Sequence, residues 1–361
     1  NAGLFKAASK HGEEIDELLM INWYVILPVF FLTNSLLFIF SWKYYHREER
    51  KALYYPHNNK LELVWTVLPA IALAVIIVFG IRTWNSIMYN NEKGQVVEVY
   101  AYQFGWLVRY AGVDNQLGEA NYKLVSSTNP LGVITDKSIQ DTYEEIDKKV
   151  LNIDQDLKVK RNANGDLLIP KSKADKKLEE LERLKRRKYR IEAAIDKGES
   201  NSTAYSSSDD DVVVQELHLV KDQPYTFIFR SKDVIHCPWL PHFRAQINAV
   251  PGMETSFKLT PTITTKEMRM MPEVQEHYKN INEIHNERKR RIGEEEEKVL
   301  FDYVLLCNKI CGAGHSNMQL KVIVETQNEF ENWIENNGDK KRLTFSGQEV
   351  NWSETKEQAS L

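Results

Sequence analysis

Two long apolar stretches near the start of the chain restrict its fold more than any other feature. Residues 21–41 and 63–81 contain no Asp, Glu, Lys or Arg. A helix that crosses the hydrocarbon core of a bilayer needs about 20 such residues. The single prolines Pro28 and Pro69 are tolerated there, because neighbouring groups satisfy the freed carbonyls. A buried helix of a water-soluble protein is the alternative for either stretch, but two in tandem favour a transmembrane hairpin over residues 21–85.

Charge predicts the orientation of this hairpin. Residues 1–20 carry more acidic than basic side chains, whereas the loop between the apolar stretches carries five basic ones: Lys43, Arg47, Arg50, Lys51 and Lys60. Because basic loops stay on the cytoplasmic side, we expect the loop in the cytoplasm or matrix. Residues 1–20 then form an exterior segment, and everything after residue 85 also lies outside. The bacterial inner membrane with a periplasmic domain is the favoured location, and the mitochondrial inner membrane is the alternative.

The ends and the net charge of the chain add little. The sequence begins at Asn1 rather than Met, which we interpret as the loss of a cleaved leader. The net charge of -4 gives no sign of a nucleic-acid partner, and we expect none.

The exterior region shows the alternation of half-buried strands. Apolar side chains alternate within residues 217–229, 301–305 and 320–324, a pattern that predicts strands. Together with residues 96–110 they predict a small antiparallel sandwich built from residues 92–114 and 212–326. The fold class is therefore an N-terminal transmembrane α-helical hairpin followed by an all-β sandwich with charged helical insertions.

The first insertion spans residues 115–211. The Asn-Gly pair within residues 162–166 suits a β-hairpin turn, and the Ser- and Asp-rich residues 200–211 predict a flexible connection. Residues 172–196 predict a charged helix with one apolar stripe, formed by Leu178, Leu181, Leu184, Ile191 and Ile195.

A second insertion and a tail complete the domain plan. Residues 266–298 also predict a helix, because Val274, Tyr278, Ile281 and His285 align on one face. The charged faces of both insertions are solvated, and their apolar stripes pack either on the sandwich or on a partner. Residues 327–361 are expected to be a C-terminal tail.

One short loop carries four candidate metal ligands. Cys307, Cys311, His315 and Met318 follow the predicted strand 301–306, and His236 follows another strand far upstream. Sulfur and imidazole ligands together select copper, and a weak Met ligand is typical of electron-transfer copper. Two cysteines with three residues between them can bridge two copper ions, with one histidine terminal on each.

A zinc site and a disulfide are the two alternatives for this loop. Zinc prefers four Cys or His ligands and has little use for Met. A disulfide between the two cysteines fits an oxidising compartment, although three cysteines in so large an exterior region do not form a disulfide scaffold. The combined order of the ligands favours copper. Cys237, directly after His236, is expected to be a buried thiol on the opposite face of its strand.

Three blocks of sequence resemble subunit II of the haem–copper cytochrome c oxidases. They are residues 59–70, residues 233–236 with 250–252, and the C-x3-C-x3-H-x2-M loop. The resemblance covers residues 20–110 and 212–326. It implies a cupredoxin-like Greek-key domain with a binuclear CuA centre, which passes electrons from cytochrome c to haem in subunit I. Oxygen reduction and proton pumping then occur in subunit I.

The resemblance also implies a role for each ligand. Cys307 and Cys311 would bridge two copper ions, and His236 and His315 would be terminal ligands. Met318 would be a weak ligand to one copper ion, and the carbonyl of Lys309 a weak ligand to the other. The family usually has Glu at the position of Lys309, and that carboxylate helps to bind magnesium. A magnesium ligand is therefore not expected from this chain.

Three further residues take roles by resemblance. The family's Trp-Tyr-Trp run stands here as Phe104-Gly-Trp106, and its first Trp is where electrons are thought to be received. Phe104 takes that place and Trp106 is the nearest indole, with core packing as the alternative for both. Glu62 matches a family residue near the mouth of a proton pathway. The alternative for Glu62 is a carboxylate favoured by the helix dipole.

The expected partners follow from this family. They are subunit I and other oxidase subunits, lipid, and cytochrome c or a membrane-bound cytochrome c. The insertions could dock another respiratory component, as in a supercomplex. No Cys-x-x-Cys-His occurs, so no haem is expected on this chain. The rival functions are a quinol oxidase subunit, which lacks the copper ligands, a membrane-anchored copper carrier, and nitrous oxide reductase, which needs a large propeller domain.

Overall fold

The structure is a computed structural model of the chain. It describes residues 5–51, 54–89, 93–112, 114–126, 129–159, 170–196, 210–337 and 340–341.

Two long helices form the N-terminal hairpin. Helix α1 spans Lys10–Lys43 and helix α2 spans Asn59–Met88, and both are long and apolar enough to cross a membrane. Their apolar side chains face outward, and no residue of α2 is buried within the chain. Surfaces of this kind are stable only in lipid or against another apolar helix. The predicted hairpin is therefore present.

The first helix begins earlier than the sequence pattern predicts. Residues 10–20, expected to be an exterior segment, are helical, and the first turn of α1 is buried against the sandwich. Ser9 caps the helix, because its side chain accepts a hydrogen bond from the Gly12 amide and donates one to the Phe243 carbonyl at 2.7 Å. Arg244 adds an ion pair to Asp16 at 2.9 Å. These contacts join the hairpin to the exterior domain.

The exterior domain is a sandwich of two five-stranded sheets. The first sheet has the order β3-β2-β1-β5-β8 and the second the order β4-β10-β9-β6-β7. The ten strands are β1 Gln95–Tyr102, β2 Gly105–Tyr110, β3 Val212–Val214, β4 Leu217–Val220, β5 Tyr225–Ser231, β6 Pro238–Leu240, β7 Ala245–Gln246, β8 Thr255–Leu259, β9 Tyr303–Cys307 and β10 Gln319–Glu325.

The prediction of a purely antiparallel sandwich is wrong in two places. Strand β1 pairs with β5 in parallel, and β10 pairs with β4 in parallel. Parallel neighbours need a long connection between them. The first insertion and strands β2 to β4 separate β1 from β5, while most of the domain separates β4 from β10. The predicted class, a helical hairpin followed by a β-sandwich with additional helices, is otherwise confirmed.

The core lies between the two sheets and follows the predicted alternation. The inward side chains of the paired strands are almost fully buried: Val97, Val99, Leu217, Leu219, Phe227, Phe229, Tyr303, Leu305, Leu320, Val322 and Val324. Burial of each of these side chains stabilises the fold by about 1.5–3 kcal/mol. The packed core therefore holds the ends of the strands in fixed positions.

The first insertion is a helical pair. Helix α3 spans Asp136–Val159 and helix α4 spans Lys171–Asp196, which confirms the predicted helix at 172–196. The predicted turn at 162–166 and most of the flexible stretch 200–211 lie outside the described residues. Helix α3 was not predicted, although Ile139, Tyr143, Ile146, Val150 and Ile153 recur along it at helical spacing.

Buried apolar contacts hold the helical pair together. Ile146 of α3 packs with Leu184 and Ile191 of α4, and Lys188 pairs with Asp147 at 2.7 Å. Leu178 of the predicted stripe is 46% exposed and lies outside this contact.

The second insertion contains helix α5, Thr265–Met270, and helix α6, Pro272–Ile292. A capping box between Thr264 and Glu267 starts α5. Beyond the sandwich, helix α7 spans Gln327–Glu335 and buries Phe330 and Ile334 in the core. The start of the expected tail is therefore part of the domain. The short strands β11 Asn336–Asn337 and β12 Lys340–Lys341 follow it.

Candidate metal centre

The candidate ligands meet where three chain segments leave the second sheet. Strand β9 ends at Cys307, and the loop from residues 308 to 318 returns to β10. The Cys307 amide donates to the Met318 carbonyl at 3.1 Å, which closes this loop. Pro238 at the start of β6 pairs with Cys307. This pairing brings His236, which precedes β6, beside the loop.

The two loop cysteines are close together but not bonded. Their Sγ atoms lie 3.9 Å apart, whereas a disulfide requires about 2.05 Å. All three cysteines are free and buried. The disulfide interpretation of the loop therefore does not describe this structure. Cys237 is 4% exposed, as expected for a buried thiol.

Each cysteine sulfur contacts a different histidine. Cys307 Sγ lies 3.8 Å from His236 Nδ1, and Cys311 Sγ lies 3.7 Å from His315 Nδ1. The ligand atoms of His236, Cys307 and Cys311 lie within 4.8 Å of one another and could hold a metal ion.

The two remaining candidates complete the arrangement. Met318 Sδ lies 3.7 Å from Cys311 Sγ, and the Lys309 carbonyl oxygen lies 3.2 Å from Cys307 Sγ. The Lys309 side chain itself is exposed. The structure therefore brings together all six residues that the sequence predicted as ligands. At position 309 the backbone oxygen faces the cluster, not the side chain.

Because the cluster is buried, its cysteines can be ionised only if a positive charge lies beside them. His236 and Met318 are 0% and 1% exposed, and the cysteines are 8% and 6% exposed. Burial raises the pKa of the Cys311 thiol to about 11, and the neighbouring Cys307 adds to this shift. Thiolates are costly in such surroundings unless a cation offsets them, and a bound metal ion deprotonates a coordinating thiol. The donor set thus fits a soft metal ion.

Asp233 orients the upstream histidine. Its Oδ1 lies 2.9 Å from His236 Nε2, and its Oδ2 accepts a hydrogen bond from the Gln103 amide at 2.7 Å. Although burial alone would raise its pKa, the hydrogen bonds from His236, Gln103 and Val234 lower the pKa of Asp233. An ionised carboxylate on Nε2 keeps the proton there and leaves Nδ1 free to face the sulfur cluster, as in many metal sites.

With this geometry established, known proteins that resemble the chain can be compared. A family model described as the transmembrane domain of cytochrome c oxidase subunit II matches residues 1–83. An alternative cytochrome c oxidase subunit 2 of Bradyrhizobium diazoefficiens is 24% identical over 335 residues, or 92% of this chain and 82% of that protein. The chain is therefore similar to cytochrome c oxidase subunit II, in its membrane hairpin and along most of its length.

Two further comparisons cover smaller or more distant matches. A cytochrome c oxidase subunit 2 of Corynebacterium glutamicum is 32% identical over 84 residues, or 22% of this chain and 23% of that protein. The solved periplasmic domain of cytochrome oxidase subunit II of Bradyrhizobium japonicum aligns with 67% of this chain and 92% of that domain, at 12% identity and a TM-score of 0.28. These similarities and the two helices long and apolar enough to cross a membrane indicate a membrane protein.

Two aromatic residues lie close to the candidate ligands. Phe104, in the turn between β1 and β2, is 41% exposed. Trp106 is only 3% exposed, and its ring centre lies 6.1 Å from that of His236. Phe104 is thus at the surface and Trp106 is behind the site.

Glu62 lies far from the ligands. It is in the first turns of α2, where its Oε1 accepts a hydrogen bond from the Asn58 amide at 3.4 Å. At 1.5 Å per residue, the rest of α2 separates it from the exterior domain by about 40 Å. The structure therefore places Glu62 at the opposite end of the hairpin from the candidate metal centre.

Two residues next to the ligands were not predicted as functional. Asp233 was noticed only as part of a motif, and Gln103 was not noticed. The signal for Asp233 was its position three residues before a ligand histidine. No sequence signal could reveal Gln103. It lies in the turn between β1 and β2, and it meets Asp233 and Cys311 only in the folded chain.

Proposed function

We propose that this chain is the electron-input subunit of a proton-pumping terminal oxidase, and that it holds a binuclear copper centre. Cys307 and Cys311 would both hold the two copper ions, with His236 and His315 as terminal ligands. Met318 and the Lys309 carbonyl would be weak ligands, and no magnesium ligand is assigned because Lys309 carries no carboxylate. Electrons from cytochrome c would reach haem in subunit I through this site, and oxygen would be reduced to water in subunit I.

One observation carries this proposal. Two unbonded cysteine sulfurs 3.9 Å apart each contact a different histidine nitrogen. A single blue copper site uses only one cysteine, and a zinc site would leave Met318 without a role. A pair of sulfurs with one imidazole on each side is the arrangement that two bridged copper ions require.

The residues of the chain act mainly by holding positions. Bound copper supplies a one-electron redox couple. The ligands sit at strand ends and on a closed loop, and Asp233 fixes the ring of His236. Rigid ligands limit rearrangement when the charge of the site changes. Phe104 offers a surface contact for the donor, and Trp106 packs behind His236.

The remaining assignments concern the setting of this subunit. The copper domain, residues 92–114 and 212–326, faces the periplasm of a bacterium or the mitochondrial intermembrane space. The insertions 115–211 and 266–298 dock another respiratory component or a membrane-bound cytochrome. Support for this docking comes from their charged, exposed helices outside the membrane-spanning hairpin.

A metal analysis with electron paramagnetic resonance tests the proposed centre. The purified membrane complex should contain two copper ions per copy of this chain in addition to any copper held by its other subunits. Its spectrum should show the seven-line pattern of one electron shared by two copper ions. A four-line spectrum, or one copper ion or one zinc ion per chain, would contradict the proposal.

Glu62→Gln tests the proposed proton pathway. Because Glu62 lies about 40 Å along α2 from the exterior domain, the change should slow oxidase turnover and leave the copper spectrum unaltered. Glu49→Gln, in the same loop region but outside the helix, serves as the control. Equal turnover of wild type and Glu62→Gln would leave Glu62 with a helix-dipole role only.

A further inference from the structure

A short segment of the first insertion covers the outer face of the sheet near the metal site. In this covering loop, residues 129–135, Leu131 and Val133 are 5% and 0% exposed and pack against Leu107 of β2. Tyr100 and Tyr102 of β1 pack against the same cluster. The insertion is therefore part of the structure around β1 and β2, and its helical pair continues from it at Asp136.

Hydrogen bonds give the covering loop a fixed shape. Asn129 is 3% exposed and bonds twice to Val133: its Nδ2 donates to the Val133 carbonyl at 2.8 Å, and its Oδ1 accepts from the Val133 amide at 3.0 Å. The Ser138 hydroxyl donates to the same carbonyl at 2.7 Å. A loop closed in this way can support side chains packed against it.

Tyr102 connects the covering loop to the turn between β1 and β2. A Cβ atom at Gly105 would lie 2.6 Å from the Tyr102 hydroxyl oxygen and 2.7 Å from Cζ. The ring of Tyr102 thus lies across the turn and occupies the space of a side chain at position 105. Only glycine permits this close approach.

The same turn rests on the metal loop. A Cβ atom at Gly312 would lie 2.8 Å from Phe104 Cζ, and one at Gly314 would lie 2.6 Å from Phe104 Cγ. Gln103 donates from Nε2 to the Cys311 carbonyl at 2.5 Å and from its amide to Asp233 at 2.7 Å. Contacts therefore run from the cluster around Val133 through Tyr102 and the turn to the Cys311 carbonyl and the backbone at Gly312 and Gly314.

We infer that Tyr102 is a positioning residue for electron input. The covering loop holds its ring, and the ring holds the turn with Phe104 against the metal loop. This role rests on the proposed function of the site. Tyr102 touches none of the ligand side chains in the contacts described, so its loss should leave copper binding intact and displace Phe104. A misplacement of about 1 Å slows a reaction by up to roughly a hundredfold.

Variants of the assembled oxidase test this inference. Tyr102→Leu and Val133→Ala should each keep two copper ions per chain and slow the first electron transfer from reduced cytochrome c by roughly ten- to a hundredfold. Tyr102→Phe keeps the aromatic ring, so this variant should accept the first electron at the wild-type rate. Ile146→Ala is the matched control, because Ile146 is 1% exposed in the same insertion but packs between α3 and α4.

A second pair of variants tests the contact itself. Gly105→Ala places a methyl group against the Tyr102 ring and should slow electron input. Gly105→Ala combined with Tyr102→Leu should be no slower than Tyr102→Leu alone, because the ring that the methyl group displaces is already absent. The rate is measured by stopped flow and the copper spectrum by paramagnetic resonance. The inference is overturned if Val133→Ala and Gly105→Ala keep the wild-type rate, or if Ile146→Ala slows it equally. Absence of the two-copper spectrum from wild type would instead reject the proposed function.

Discussion

Cys311→Ser should abolish the mixed-valence copper spectrum and stop electron input. The Cys311 sulfur lies between the Cys307 sulfur, the His315 ring and the Met318 thioether. A serine oxygen is a hard donor that copper binds weakly in such a set. Loss of a residue that only orients a ligand costs about 10–100-fold in metal affinity, so loss of a shared ligand should exceed this range. Oxidation of reduced cytochrome c by the assembled complex gives the second readout.

Cys237→Ser is the matched control for this variant. Cys237 is a buried thiol next to His236 and undergoes the same chemical change, but its sulfur makes no contact with the cluster among those described. It should keep two copper ions per chain and the wild-type spectrum. The assignment of Cys307 and Cys311 as the bridging pair would be refuted if Cys311→Ser keeps the seven-line spectrum. It would also be refuted if both variants lose this spectrum equally.

Arg109→Met should cause the largest loss of stability among single substitutions in the exterior domain. Arg109 is fully buried and bonds to Glu98 at 2.6 Å, to Asp211 at 3.1 Å and to the Gly118 carbonyl at 3.0 Å. Breaking a buried ion pair by removing one partner costs about 3–5 kcal/mol, because the remaining charge is left without compensation. Thermal unfolding of the purified complex, followed through the exterior domain, measures this loss.

The pH dependence of Arg109→Met gives a sharper test. Burial raises the pKa of Asp211 to about 8 even though Arg109 lowers it. Removing the cation raises the folded-state pKa further above the unfolded value, so the folded variant binds protons that the unfolded chain releases. Stability then falls as pH rises. Because wild-type Asp211 already has a pKa of about 8, the two proteins differ in slope only above that pH, and the deficit of the variant should be larger at pH 9 than at pH 6. Arg230→Met, at a partly exposed position beside the same Glu98, should lose less; an equal loss would contradict the explanation.

The local parts of this protein could be predicted from its sequence. The membrane hairpin follows from composition, because two uncharged stretches of suitable length have few other stable arrangements. Five of the six proposed ligands lie within residues 307–318, so their spacing alone brings them to one loop. The helix at 172–196 and the buried faces of β5, β9 and β10 follow from regular apolar spacing.

Other features depended on contacts between distant segments. The parallel pairs of β1 with β5 and of β4 with β10 are set by how the two sheets pack. The burial of α7 depends on the core surface that it covers.

The metal centre likewise combines features that the sequence predicts with features that only the folded chain shows. The sequence determined which atoms could bind metal, because ligand chemistry and loop spacing are local properties. Only the tertiary structure brought His236 to Cys307 across 71 residues, turned Asp233 toward His236, and placed Tyr102 between the covering loop and the Phe104 turn. The physical reason is that these contacts arise from burial of apolar surface between remote strands, which has no periodic trace in the sequence.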